Sequence, residues 1–134
     1  HGFFWILDVK RGQWDSFERE QIIKQTAILD GPDVCVYVEQ EPGSGGKESA
    51  QNTIRNLAGF RVYADRPVGA KETRAEPFAV QVNGGNVKML KGEWNQDYIN
   101  ELMYWPKSKY KDQTDASAGA FAKVHGFKRR VGGL

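Results

Sequence analysis

One stretch constrains this chain more than any other: a short β-branched run that gives way at once to acids, then glycines, then helical spacing. Val34-Cys35-Val36-Tyr37-Val38 reads as a strand. Glu39-Gln40-Glu41-Pro42-Gly43-Ser44-Gly45-Gly46 follows it, and from Lys47 the period changes. Ala50, Ile54, Leu57 and Ala58 then fall on one face of a 3.6-residue repeat, with Gly59 placed to end the helix. Upstream, Phe3–Val9 reads as a strand whose near-continuous apolarity predicts cover on both faces. Asp15 and Glu18 make a capping-box pattern for a helix running to about Leu29, which Asp30-Gly31-Pro32 stops. Downstream, Phe60–Ala64 alternates as a third strand. Strand, helix, strand, helix, strand is the pattern of an α/β protein with parallel pairing through right-handed crossovers.

The remainder continues the alternation. Lys71–Val82 has helical spacing, with Pro77 marking either its start or a kink. A turn at Asn83–Asn86 leads to a short strand at Val87–Leu90 and a helix from Trp94 to Trp105, closed by Pro106. A lysine-rich loop, Lys107–Lys111, precedes a last helix that opens at Asp112 and runs to Phe121, with small residues suited to close packing on a sheet. After Val124 the period is lost, which predicts a flexible basic tail over 125–134. At 134 residues the chain is expected to be one domain, 1–134, with no internal repeat.

Charge and cysteine usage narrow the setting. The net charge of +2 decides nothing by itself. The basic residues from Lys107 onward form a field that contains only Asp112 and Asp115 as acids, which suits either a polyanionic partner or a solvated surface. The single cysteine, Cys35, sits in an apolar strand pattern; it is expected to be buried and free, as suits a reducing cytoplasm. One Cys and two His cannot build a Cys/His metal site. No apolar run approaches the ~18 residues of a membrane span, and no signal segment opens the chain.

The glycine-rich loop fails the test for a triphosphate cradle. Gly46-Lys47 supplies the Gly-Lys pair, but Glu41 stands where the first glycine belongs and Glu48 where the Ser or Thr belongs. The glycines are therefore read as a tight turn from strand to helix, and the weight moves to the acids. Glu39 and Glu41 lie at a strand end. Asp112 and Asp115 lie one turn apart on one helix face, where capping and dipole complementarity already favour Asp. Carboxylates in such positions can also hold divalent metal. Mg²⁺ binds through one or two carboxylates plus substrate phosphates, and two ions ~3.5–4 Å apart can activate water and stabilise a leaving oxygen.

Four motifs in succession carry a resemblance: Val38–Lys47 (VEQEPGSGGK), Tyr63–Ala75 (YADRPVGAKETRA), Gly84–Val87 (GGNV) and Asp112–Ala116 (DQTDA). Together they resemble the carboxyl-terminal nuclease domain of tailed-phage terminase large subunits, over almost the whole chain to about Lys123. The resemblance implies an RNase H-like mixed sheet flanked by helices, and a two-metal Mg²⁺ or Mn²⁺ site that cuts concatemeric double-stranded DNA. It also implies an ATPase domain, a small terminase subunit and a portal as partners, in the cytoplasm of a bacterial host. Matched position by position, Glu39, Asp112 and Asp115 fall on the family's catalytic and metal-binding acids, and Lys71 and Arg74 on basic positions of its Thr-Arg-Ala helix. Lys71, Arg74, Lys107, Lys109 and Lys111 are the expected DNA contacts. Where the family often has His-Asp-Asp, this chain has Tyr110-Lys111-Asp112, which leaves the ligand count open. Phe3–Val9 resembles the third strand of the fold, so the first two strands and a catalytic Asp are expected to be missing; Asp8 is a poor substitute.

Two other classes stay open at this point. One is a catalytically silent DNA-binding or assembly remnant of such a domain, and the other an RNase H-like resolvase relative. A lost central strand predicts weak or absent cutting by this chain alone, and either a rearranged sheet or an edge-paired homodimer.

Overall fold

The structure, a computed structural model, describes residues 2–132, with side chains to His125. The chain divides into two compact units, one formed by His1–Arg11 with Gly69–Leu134 and the other by Gly12–Val68.

The unit Gly12–Val68 holds α1 (Ser16–Asp30), β2 (Val36–Glu39), α2 (Ser44–Asn56) and β3 (Val62–Asp65), β1 lying earlier in the chain. Asp15 caps α1 as its spacing predicts: its carboxylate accepts the Glu18 N–H at 2.8 Å, and Glu18 reaches back to the Asp15 N–H. Gly31, at φ 91°, ends the helix. β2 and β3 pair in parallel, Val36 against Val62 through to Glu39 against Asp65. α2 packs on both strands and on α1, burying Ala50, Thr53 and Leu57. A polar tie locks the two helices: the Glu20 carboxylate accepts from the Thr53 hydroxyl at 3.1 Å and the Asn56 amide at 3.0 Å.

The other unit holds β1 (Phe4–Ile6), α3 (Lys71–Asn83), β4 (Val87–Met89), α4 (Asn95–Tyr104) and α5 (Asp112–Gly132). β1 and β4 also pair in parallel, Phe4 against Val87 and Ile6 against Met89. The core joins Ala75 and Phe78 of α3 to Ala118 and Phe121 of α5, with Phe4, Ile6 and Val87 of the sheet packed against them. Phe121 meets Phe4 edge-on at 4.8 Å. Ala118 is the small residue that serves this contact; a Cβ at Gly119 would meet nothing within 4 Å.

Several expectations change. The pairing is parallel, as the alternation of strands and helices implies, but among the described residues each sheet is two strands wide. β1 is covered on one face only, since Phe4 and Ile6 turn to the core while Trp5 stays 55% exposed and its neighbours Phe3 and Leu7 are also exposed. Cys35 is exposed, because β2 begins one residue later, at Val36. α3 starts at Lys71 and carries Pro77 within it. The last helix runs on to Gly132, well past Phe121. Within the flexible tail expected over 125–134, the side chains beyond His125 lie outside the described residues.

Candidate functional site

Glu39 closes β2, and its register partner on β3 is Asp65. Side chains of paired residues on parallel strands share a face. Tyr37 and Tyr63 are also register partners; they precede the two acids by two residues and so lie on that same face, with ring centres 5.5 Å apart. The result is two aromatic rings followed by two carboxylates, at the carboxyl end of parallel strands where α/β proteins present ligand-binding groups. Asp65 escapes the sequence reading because Arg66 and Pro67 make it look like the start of a loop. A signal was available: Glu39 and Asp65 each stand three residues beyond the β-branched residue that opens their strand, Val36 and Val62.

The glycines behind Glu39 do a different job from the one expected. α2 begins at Ser44, so Gly45 and Gly46 form its first turn. Gly43, at φ 96°, makes the bend before it. A Cβ on Gly46 would collide with the backbone carbonyl of Glu41, whereas one on Gly45 would meet nothing within 4 Å. Gly46 thus lets the helix start press against the loop that carries Glu41, two residues after Glu39.

The other expected site residues belong to the other unit. Asp112 is the exposed first residue of α5, and Asp115 lies one turn on with its side chain only 12% exposed. The Asp115 carboxylate faces two cations of α3, Lys71 Nζ at 3.6 Å and Arg74 Nη2 at 3.7 Å. The structure therefore joins three residues that the sequence had sorted into two roles, one acid and two bases. Lys107, Lys109 and Lys111 are exposed in the loop before α5. Lys109 Nζ lies 5.2 Å from the centre of the Tyr110 ring. Asp8 is engaged locally with Lys10 at 2.9 Å.

Beneath the opening turn of α5 lies a buried acid that sequence reasoning missed. Glu101 of α4 is 4% exposed and accepts from the Thr114 N–H and from Gln113 Nε2. It supplies from a neighbouring helix the cap that α5's free N–H groups require. Its place three residues after Tyr98, on the apolar face of α4, was the available signal. The Tyr98 hydroxyl shares a 2.6 Å hydrogen bond with Ser117. Burial pushes the Tyr98 pKa above its ordinary value; the Ser117 bond lowers it in part, and the nearby Glu101 charge raises it further.

Oxygen-only donors are the right type for Mg²⁺ or Mn²⁺. Glu39 and Asp112 are exposed carboxylates at element ends. At Asp115 a metal would compete with Lys71 and Arg74 for both oxygens. Among the described residues no group of three or more His, Cys, Asp and Glu side chains converges in a metal-binding arrangement. None of the described helices is long and apolar enough to cross a membrane.

No curated protein and no solved structure matches the chain significantly. The family model of the terminase RNase H-like domain matches residues 2–123. That span takes in both strand pairs, all four helices before α5 and the opening turns of α5, so the order of elements and the acids at their ends fall inside the match. The chain belongs to the terminase RNase H-like domain family, a nuclease-type domain of phage DNA-packaging terminases.

Proposed function

We propose that this domain is a metal-dependent endonuclease that hydrolyses phosphodiester bonds of concatemeric double-stranded DNA. The observation that carries the reading is the placement of Glu39 at the carboxyl end of β2 and of Asp112 at the first turn of α5, inside a chain matched to a nuclease-type family over 2–123. Glu39, Asp112 and Asp115 would hold Mg²⁺ or Mn²⁺, which supplies an activated water and stabilises the leaving oxygen. Asp65, the register partner of Glu39, adds a second carboxylate at the strand ends, the oxygen-donor type that Mg²⁺ takes. Lys71 and Arg74, held by Asp115, and the lysines of the loop before α5 would take the DNA backbone, since phosphate contacts position a duplex without reading its sequence.

The test pairs Mn²⁺ titration by calorimetry with nicking of supercoiled plasmid. Saturable Mn²⁺ binding is expected, lost in Asp112→Ala, together with nicking that Glu39→Ala abolishes. Robust nicking by Glu39→Ala would sink the assignment. One observation favours a second reading, a DNA-binding module without catalysis: both Asp115 oxygens already face cations. Duplex binding without any saturable Mn²⁺ binding would select that reading.

A further inference from the structure

The cleft between the end of α4 and the lysine-rich loop includes none of Glu39, Asp112 and Asp115, and of the proposed DNA contacts it takes in Lys107 and Lys109. It encloses about 320 Å³ and is walled by Arg11, Asn100, Tyr104, Lys107, Lys109 and Tyr110. A volume of this order lies at the small end of the range for bound small molecules, roughly 300–1,000 Å³. Its charge is set by three cations. The Arg11 guanidinium sits 4.5 Å from the centre of the Tyr110 ring and Lys109 Nζ 5.2 Å from it, so one ring gathers two cations at the rim. Lys107 is the third. Of the two acids in the wall, Asp97 is 3.9 Å from Arg11 and offsets part of one charge. Glu101 is already occupied by Gln113 and the Thr114 N–H. Tyr104 lines the same cleft and is 63% exposed.

Cations and an exposed aromatic ring in one concavity match the chemistry of an unstacked nucleotide. Cations take the phosphate and the ring takes the face of the base, in a manner tolerant of sequence. A duplex keeps its base faces stacked inside and has none to offer Tyr104. Tyr110, by contrast, is engaged with Arg11 and Lys109, so it orients the phosphate-binding groups and leaves stacking to Tyr104.

We propose that this cleft binds one unstacked nucleotide of a single-stranded DNA segment, with Arg11, Lys107 and Lys109 on the phosphate and Tyr104 against the base. The proposal deepens the nuclease reading and rests on it for the choice of DNA as ligand. The experiment measures fluorescence anisotropy of a short labelled oligothymidylate, and of a blunt duplex of equal length, on the whole chain. Tyr104→Ala should weaken oligothymidylate binding about tenfold, the scale of one lost base stack, and leave duplex affinity within about twofold. Tyr104→Phe should restore single-strand binding. Arg11→Gln should weaken it and reduce its salt dependence. Equal losses on both probes in Tyr104→Ala, or no loss on either, would overturn the proposal, as would failure of the chain to bind oligothymidylate. Failure of the nuclease reading looks different: no Mn²⁺-dependent nicking, with the Tyr104-dependent single-strand affinity intact.

Discussion

Tyr98 is held by burial, by the Ser117 hydroxyl and beside the Glu101 carboxylate, and all three bear on its proton. The folded state holds that proton more tightly than the unfolded chain, whose tyrosines titrate near pH 10. Stability from this group is therefore complete below about pH 10 and is lost as pH rises through the higher folded value. Lysines also titrate in that window, so the useful quantity is the difference between two proteins. Urea midpoints of the chain and of Tyr98→Phe should converge as pH rises above about 10, because the variant has no proton to lose. At neutral pH the variant should be less stable by about 1 kcal/mol, the worth of the lost hydrogen bond. Parallel curves across that range would rule out Tyr98 as the titrating group. Asp115 shows a related economy at the same scale: one carboxylate fixes two cations of α3, so its charge acts first on Lys71 and Arg74.

Among the elements, the junction between β2 and α2 depends on which of two adjacent glycines is replaced. Both lie in the first turn of α2, where alanine is the better helix former by up to about 1 kcal/mol. Gly45 has open space beyond it, so Gly45→Ala should raise stability by up to about 1 kcal/mol. Gly46 backs onto the Glu41 carbonyl, so Gly46→Ala should cost about 1–3 kcal/mol through forced backbone displacement. Chemical denaturation of the two variants separates these outcomes, and equal effects would show that the close approach to Glu41 is unimportant. The shift in Gly46→Ala should also move the loop beside Glu39 and reduce nicking more than it reduces duplex binding. At the far end of the chain α5 follows a comparable logic. Its opening turn is anchored by Glu101 from α4 while Asp112 stays outward, which frees Asp112 for other chemistry.

For the whole molecule, a net charge of +2 is too small to drive DNA binding, so any binding must come from where the cations sit. If Lys107, Lys109 and Lys111 each neutralise a phosphate, replacing all three with Gln should lower the slope of log affinity against log salt by about 2–3, at about 0.9 per phosphate contact on duplex DNA. An unchanged slope, measured by anisotropy across a salt series, would remove this loop from the DNA interface. The division into two compact units places Glu39 and Asp65 in one and the lysine loop, Asp112 and Asp115 in the other. Substitutions in each unit can therefore be read against that unit's own packing: the Glu20–Thr53–Asn56 tie in one, the Phe78–Phe121–Phe4 core in the other.

Local chemistry was enough for the sequence alone to determine several features. The Asp15–Glu18 box and Gly31 delimit α1, the 3.6-residue repeat marks α2, and the alternation of strands with helices dictates parallel pairing. The positions of Glu39 at the end of β2 and of Asp112 at the start of α5 were likewise legible, because a motif and an element boundary coincide at each. Tertiary structure alone decided what depends on residues far apart in the chain. It paired β1 with β4, left Trp5 outside, set Asp65 beside Glu39 and turned Asp115 toward Lys71 and Arg74. It also buried Glu101 under α5, where a lone acid on an apolar helix face finds two donors that no local pattern could name. The physical division is between preferences satisfied within a turn or two of chain, which a sequence displays, and hydrogen bonds and charges satisfied across elements, which exist only once those elements meet.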